Sequence, residues 1–363
     1  MHLIQSDSEI KLQIIVTGSH LSSSHGNTYK EIELDGFEID HKVSILDGFL
    51  NEVQTLEAMS KCQFEIAKII DLRKPDLIIV LGDRYEILSA VISALILRVP
   101  VAHIHGGEIT QGAFDDSIRH AITKLSNLHF VSTERNKQRV IQMGENPENV
   151  YNVGGLGVDA IKEMDFADKS ELEKIIGIKF GNKNLVVTFH PETNSEISPE
   201  RQIKELLDAL SVMEDINLIF TGVNADPGSQ KIAEAITDFI SNRTNAVLVP
   251  SLGQKNYFSI ILYSDGVIGN SSSGLLEVPS LKKATINIGN RQYGRETSDS
   301  VINSPCSRDQ IINAINMLYS PDFKSNLEKT SNPYEKDNSA HEIYKVLKQI
   351  DLKSILLKKF HEL

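Results

Sequence analysis

Cysteine is nearly absent from this chain of 363 residues: Cys62 and Cys306 are the only two. They lie far apart, with no Cys-x-x-Cys spacing and no His-rich stretch beside either, so they read as reduced thiols and not as a disulfide framework or a zinc site. Long apolar runs are also missing. Nothing approaches the roughly 18 uncharged apolar residues that a membrane span requires. The opening Met1-His2-Leu3-Ile4-Gln5-Ser6-Asp7 lacks the basic-then-apolar layout of a signal peptide. The expectation is a cytoplasmic protein with no membrane partner. A basic surplus is missing too: the formal net charge is -12, which argues against nucleic acid, whose phosphates are bound by net basic faces. A small phosphorylated ligand needs only a few local donors and stays open.

Several catalytic signatures are absent as well. No Gly-x-Gly-x-x-Gly follows a strand and no Gly-x-x-x-x-Gly-Lys-Ser/Thr occurs, so neither a nicotinamide cofactor nor P-loop hydrolysis is indicated. There is no Gly-x-Ser-x-Gly elbow. No cofactor is expected, and no repeat or low-complexity tract is visible.

What is present is an alternation of short Val- and Ile-rich runs with longer helical patterns, the mark of a parallel α/β architecture. Strands are expected near 11–17, 76–82, 100–105, 128–132, 184–190, 216–221, 245–249, 265–269 and 284–288, with helices at 52–72, 84–97, 115–126, 199–214 and 228–241. Runs such as Leu77-Ile78-Ile79-Val80-Leu81 are apolar throughout, as in strands covered on both faces. The glycine-dense Val153-Gly154-Gly155-Leu156-Gly157 and the polar stretch after it separate two similar series. This predicts one domain over 1–164 and a second over 165–346, with a C-terminal helical segment, 347–363, that crosses back to the first.

Polar clusters fall at the carboxyl ends of the predicted strands, where open α/β sheets bind ligands. They are Gly82-Asp83-Arg84, His103-Ile104-His105-Gly106-Gly107-Glu108, His190-Pro191-Glu192, Asn270-Ser271-Ser272-Ser273-Gly274 and Arg291-Gln292. Because they come from both halves, one cleft between two domains is their simplest common place. The serine run leads from a strand into a helix, so its hydroxyls and free N–H groups suit a diphosphate, although serines also cap helices for purely structural reasons. Arg291 and Arg295 add guanidinium forks that match phosphate oxygens. His103 and His105 share one face of a strand, a spacing also found in metal hydrolases, but a half-buried histidine with satisfied nitrogens explains His103 equally well. Asp115 and Asp116 open a helix, where carboxylates are favoured anyway. Convergence with Asp83 and Glu108 near the arginines would make them an acid-base set.

Taken in order, Val80-Leu81-Gly82-Asp83-Arg84-Tyr85-Glu86, His103 to Glu108, Phe114 to Leu125, Phe189-His190-Pro191-Glu192-Thr193, Ile268 to Gly274 and Gly289 to Glu296 resemble the hydrolysing UDP-N-acetylglucosamine 2-epimerases of sialic-acid synthesis. The likeness covers almost the whole chain. It implies two Rossmann-like domains of the glycosyltransferase-B type with an interdomain active-site cleft, no metal, and a homodimer or homotetramer. It also implies conversion of UDP-N-acetylglucosamine and water to N-acetylmannosamine and UDP by elimination to a glycal and hydration. By the same resemblance Asp83, Glu108, Asp115, Asp116, His105 and His190 are the catalytic candidates. Arg84, Asn270, Ser271, Ser272, Glu277, Arg291 and Arg295 are expected to hold the UDP. Relatives open with a strand and a Gly-Thr-Arg-type loop. This chain opens with Met1-His2-Leu3-Ile4-Gln5, which looks like the end of the helix after that strand. Omitting a central strand of a parallel sheet would leave two neighbours unpaired. Two other readings follow: the same chemistry on a 2,4-diacetamido-6-deoxy sugar, or a nucleotide-sugar-binding protein without turnover. A metal hydrolase built on His103 and His105 is the third.

Overall fold

A computed structural model describes residues 1–23, 26–45, 50–224 and 226–363. Its strands are β1 (Ile15–Thr17), β2 (His41–Val43), β3 (Ile78–Leu81), β4 (Val101–Ile104), β5 (Leu128–Val131), β6 (Val150–Asn152), β7 (Asn184–Thr188), β8 (Asn217–Thr221), β9 (Ala246–Val249), β10 (Gly266–Gly269), β11 (Ala284–Ile288) and β12 (Val301–Ser304). All their pairings are parallel. β4, β5, β7, β10 and β11 are buried at every residue, as strands sandwiched between helices must be; the run Leu77 to Leu81 is not, because β3 has Ile79 and Leu81 exposed.

The second half holds one sheet in the order β12-β11-β10-β7-β8-β9. The chain runs outward from β7 to β9, returns to β10 on the other side of β7, and continues to β12. This reversal opens a crevice at the carboxyl ends of β7 and β10, where His190 and Asn270 follow. Leu185, Val187, Leu218, Phe220, Ile268 and Ile286 centre the core beneath it.

The first half is divided. β3-β4-β5-β6 form one sheet, whereas among the described residues β1 and β2 pair only with each other. Ile15, Ile79 and Leu81 are 37%, 39% and 55% exposed at this interruption. The strand edges line a cavity of about 2010 Å³ that continues to Asp83, His190, Ser271 and Arg291 in the cleft between the two halves. The segment expected as a strand over 11–17 therefore contributes only its last three residues. β2, β6 and β12 were not anticipated; at three or four residues each they are too short to show a period.

The expected helices are found at Glu52–Arg73, Tyr85–Ile96, Asp115–Leu125, Pro199–Ser211 and Ser229–Ser241. Near the C-terminus, Ser339–Gln349 and Leu352–Leu356 lie against the first sheet, where Ile343 and Ile355 share a core with Ala102, Ile104, Leu128 and Phe130. Asn127 Nδ2 fixes this return by donating to the Ile355 carbonyl at 3.0 Å. Among the described residues no helix is long and apolar enough to cross a membrane.

Candidate active site

β3 is followed by Gly82, whose φ of +85° turns the chain. Asp83 and Arg84 follow at the mouth of the helix Tyr85–Ile96. Asp83 Oδ2 accepts a hydrogen bond from Nη2 of Arg119, a side chain buried in the helix Asp115–Leu125. The same guanidinium donates to the Glu108 carbonyl and to Thr110 Oγ1, each at 3.0 Å, and lies 3.4 Å from Asp116 Oδ1. Asp116 also accepts the Thr110 N–H at 2.5 Å and faces His120 at 3.6 Å. Oδ1 thus braces the loop, while Oδ2 is held by no hydrogen bond among the described residues.

β4 ends at Ile104, and His105 takes a left-handed φ of +65°, uncommon for a residue with a side chain. Its Nδ1 stands 2.9 Å from Glu108 Oε1. Glu108 is 2% exposed. Ser132 Oγ donates to Oε1 at 2.8 Å, and Arg295 Nη2 lies 2.8 Å from Oε2. Burial alone would raise the Glu108 pKa, but Arg295 and the His105 and Ser132 donors hold it down at about 2. His103 points away from the cleft: Nε2 is 2.8 Å from the Gly82 carbonyl and Nδ1 3.2 Å from Thr123 Oγ1. With both nitrogens engaged it is the satisfied core histidine, and it offers no lone pair to a metal.

Asp115 contrasts with Glu108. It is 3% exposed and, among the described residues, no other residue donates a hydrogen bond to either oxygen. Its nearest cation is Arg84, with Nη1 at 3.9 Å from Oδ1. Burial and the negative charge of Asp226 push its pKa up to about 6, against the pull of Arg84 and Arg291. Two carboxyl groups of one site are thus driven to opposite protonation preferences, which is how acid and base are separated.

From the second half, His190 follows β7. Asn270 clamps its backbone in both directions, accepting the His190 N–H and donating to its carbonyl, each at 2.8 Å. Asn270 is fully buried and positions His190; it does not reach the cleft. The Asn224 N–H donates to His190 Nδ1 at 3.2 Å. That bond makes Nδ1 an acceptor and leaves the ring proton on Nε2. Burial and the nearby Arg291 charge lower the His190 pKa to about 3, so the ring is a neutral donor. Ser271 and Ser272 line the cavity, while Ser273 is tied to Tyr257 Oη at 2.7 Å and to Ser271 Oγ at 3.1 Å. Arg291 donates to the Asn270 carbonyl at 3.3 Å and keeps a buried, unpartnered Nε. Arg295, expected at the nucleotide, is instead drawn across to Glu108, with Nε and Nη1 unpartnered. Glu277 approaches the first half so closely that a Cβ on Gly157 would stand 2.3 Å from its Oε1. Burial raises its pKa to about 7, opposed by His105 and Arg295.

Two residues escaped the sequence reading. Arg119 occupies the buried face of its helix with Asp115, Ile122 and Thr123; a charge at a core position of an amphipathic pattern was the available signal. Asp226 follows β8 and pairs with Arg84 across the cleft. Asp226 stands five residues beyond Thr221, the last residue of β8, too far along the loop for its position in the sequence to mark it.

The family model for UDP-N-acetylglucosamine 2-epimerase matches residues 2–348. The chain belongs to this family. The polysialic acid biosynthesis protein P7 of Escherichia coli is 42% identical over 350 residues, 95% of this chain and 88% of that protein. The GDP/UDP-N,N'-diacetylbacillosamine 2-epimerase (hydrolyzing) of Campylobacter jejuni is 40% identical over 364 residues, 100% of this chain and 94% of the relative. Among solved structures, the Neisseria meningitidis UDP-GlcNAc 2-epimerase bound to UDP-GlcNAc superposes with a TM-score of 0.81 at 17% identity, covering 96% of this chain and 95% of that one. At that identity the likeness speaks for the fold, two Rossmann-like domains of the glycosyltransferase-B type. As a UDP-sugar 2-epimerase family enzyme, this chain brings carboxylates of one domain and cations of the other to a single cleft.

Proposed function

We propose that the protein is a hydrolysing 2-epimerase that converts UDP-N-acetylglucosamine and water to N-acetylmannosamine and UDP. The observation that carries this reading is that Asp83, Arg84, His190 and Arg291 line one cavity between the domains, with Asp115 buried behind Arg84 and Glu108 buried beside Arg295.

The difficulty of the reaction is that the proton on sugar C2 is not acidic. Expelling UDP first, with the C1–O bond electrons leaving on the diphosphate, gives C1 cationic character and makes that proton labile. Arg84 and Arg291 meet the charge on the departing diphosphate. The neutral His190, whose proton sits on Nε2, is suited to donate a hydrogen bond to it. A weak carboxylate base then suffices to take the C2 proton and leave a glycal. Glu108, held ionised, and Asp83 are the basic candidates; Asp115, with its raised pKa, is the acid that returns a proton to the opposite face of C2 while water adds at C1. Ser271, Ser272 and Glu277 serve the phosphates and ribose. No step calls for a cofactor, and a homo-oligomer in the cytoplasm suits this role.

A second substrate is favoured by a specific observation: the Campylobacter jejuni relative, 40% identical across all of this chain, is named for N,N'-diacetylbacillosamine. The same chemistry on a UDP-2,4-diacetamido-2,4,6-trideoxyhexose is the alternative. Proton NMR of each UDP-sugar with the enzyme in D₂O tests both. Free N-acetylmannosamine carrying deuterium at C2, together with UDP, is expected. A 2-epimerised sugar still joined to UDP would refute hydrolysis, and turnover of the diacetamido sugar alone would reassign the substrate.

A further inference from the structure

Asp226 is 2% exposed on the loop after β8. Its Oδ1 accepts from Arg84 Nη1 of the opposite domain, and its Oδ2 lies 3.9 Å from Arg291 Nη2. From beneath, Asn224 Nδ2 donates to Oδ2, and Asn224 is itself held by Ser229 Oγ at 2.8 Å. The carboxylate is thus fixed by its own loop and aimed at two arginines from different domains. Arg84 has two further acidic neighbours, Glu86 Oε1 at 3.8 Å and Asp115 Oδ1 at 3.9 Å.

Two cations already matched by carboxylates form a poor receptor for a diphosphate, because each new negative charge meets the old ones in a site of low polarity. The conflict is relieved if one carboxylate takes a proton. Asp226 is the wrong one to yield: burial opposes its charge, but Arg84 and Arg291 keep its pKa below the ordinary range. Asp115 is the right one, since among the described residues no other residue donates a hydrogen bond to either of its oxygens. The groups facing Asp115 are Arg84 at the start of its helix, Arg291 after β11 and Asp226 after β8; His190 nearby is neutral.

Building on the diphosphate-sugar reading above, we propose that Asp226 is a positioning residue that competes with the ligand's diphosphate for Arg84 and Arg291, and so couples diphosphate binding to proton uptake by Asp115. When the diphosphate draws the arginines toward itself, Asp226 is less compensated and its field falls more fully on Asp115. One proton from solvent then adds to the Asp115 carboxylate. The acid is loaded when the substrate is in place, and the loading costs nothing in the free enzyme.

The test is calorimetric binding of UDP-glucose, whose diphosphate diester has no ionisation near neutral pH. For the unsubstituted protein, affinity should rise about tenfold as the pH is lowered from about 8 to about 6. Asp226→Asn should bind about tenfold more tightly at pH of about 8, lose that pH dependence, and turn over more slowly with the alkaline limb of its kcat profile moved to lower pH. A residue that merely held the loop would show the reverse: weaker binding in the variant and an unchanged pH slope. That result, or unchanged affinity, overturns the inference. If Asp226→Asn fails to fold, the unsubstituted protein decides, since pH-independent affinity in this interval is equally fatal. Product formation together with flat affinity would leave the epimerase reading intact and remove this coupling alone; failure to bind UDP-glucose at any pH would remove both.

Discussion

Arg119 and Asp83 form an ion pair that joins the end of β3 to the buried face of the helix Asp115–Leu125. The same guanidinium gathers the Glu108 carbonyl, Thr110 and Asp116. Arg119 is 1% exposed, so removing it opens a cavity and takes a buried donor from the Glu108 carbonyl and Thr110, while Asp83 and Asp116 remain partly open to solvent. Arg119→Ala is expected to lower unfolding stability by about 1–3 kcal/mol and to abolish turnover; denaturant titration and a product assay check this. Arg119→Lys keeps a charge but not the planar fork, and should recover part of the stability with little of the activity.

Asp83→Asn and Glu108→Gln keep the shape of each side chain while removing its charge. Each should slow turnover by at least about a hundredfold, as loss of a positioned acid or base does. UDP affinity, measured by calorimetry, should change little in either. Near-native rates in both would show that the chemistry lies elsewhere.

Arg291→Ala should weaken UDP binding, because a buried guanidinium with a free Nε is lost from the diphosphate side of the cleft. Gly157→Ala should do so by a different route. Its Cβ would displace Glu277 Oε1, a flexible carboxyl terminus, so the fold should survive while the Kd for UDP rises. Intact thermal stability with weaker UDP binding distinguishes this from misfolding.

Asp115 makes stability depend on pH. Its pKa is raised from 3.8 to about 6 by folding, so between these values the folded protein binds a proton that the unfolded chain has released. Stability from this group is full below the unfolded value and is lost as the pH rises toward about 6. Asp115→Asn removes the ionisation. The variant should therefore gain melting temperature relative to the unsubstituted protein at pH of about 8 and show little gain at pH of about 4. Equal differences at both pH values would contradict the burial of this carboxyl.

Much of the fold is legible in the sequence because parallel strands buried on both faces must be apolar throughout. The runs at 185–187 and 267–268 declare themselves in this way, whereas the equally apolar 78–81 leaves Ile79 and Leu81 exposed. Short strands such as β2 and β6 do not, since three residues carry no period. The site residues are legible by position: Asp83, Glu108, His190 and Arg291 each stand just beyond a strand's carboxyl end. What each does there is not, because Asp115 and Glu108 are both acidic residues in loops or helix starts, and only their neighbours separate them.

The sequence by itself determined the alternation of strand and helix, the family, and the set of polar residues available at the strand ends. These are properties of local pattern and residue chemistry. Only the tertiary structure decided that Arg295 binds Glu108, that Asp116 braces a loop, that Asn270 clamps His190, and that Asp226 reaches Arg84 across the cleft. Protonation, pairing and desolvation depend on distances between groups remote in the chain, and those distances exist only once both domains have closed around a common cavity.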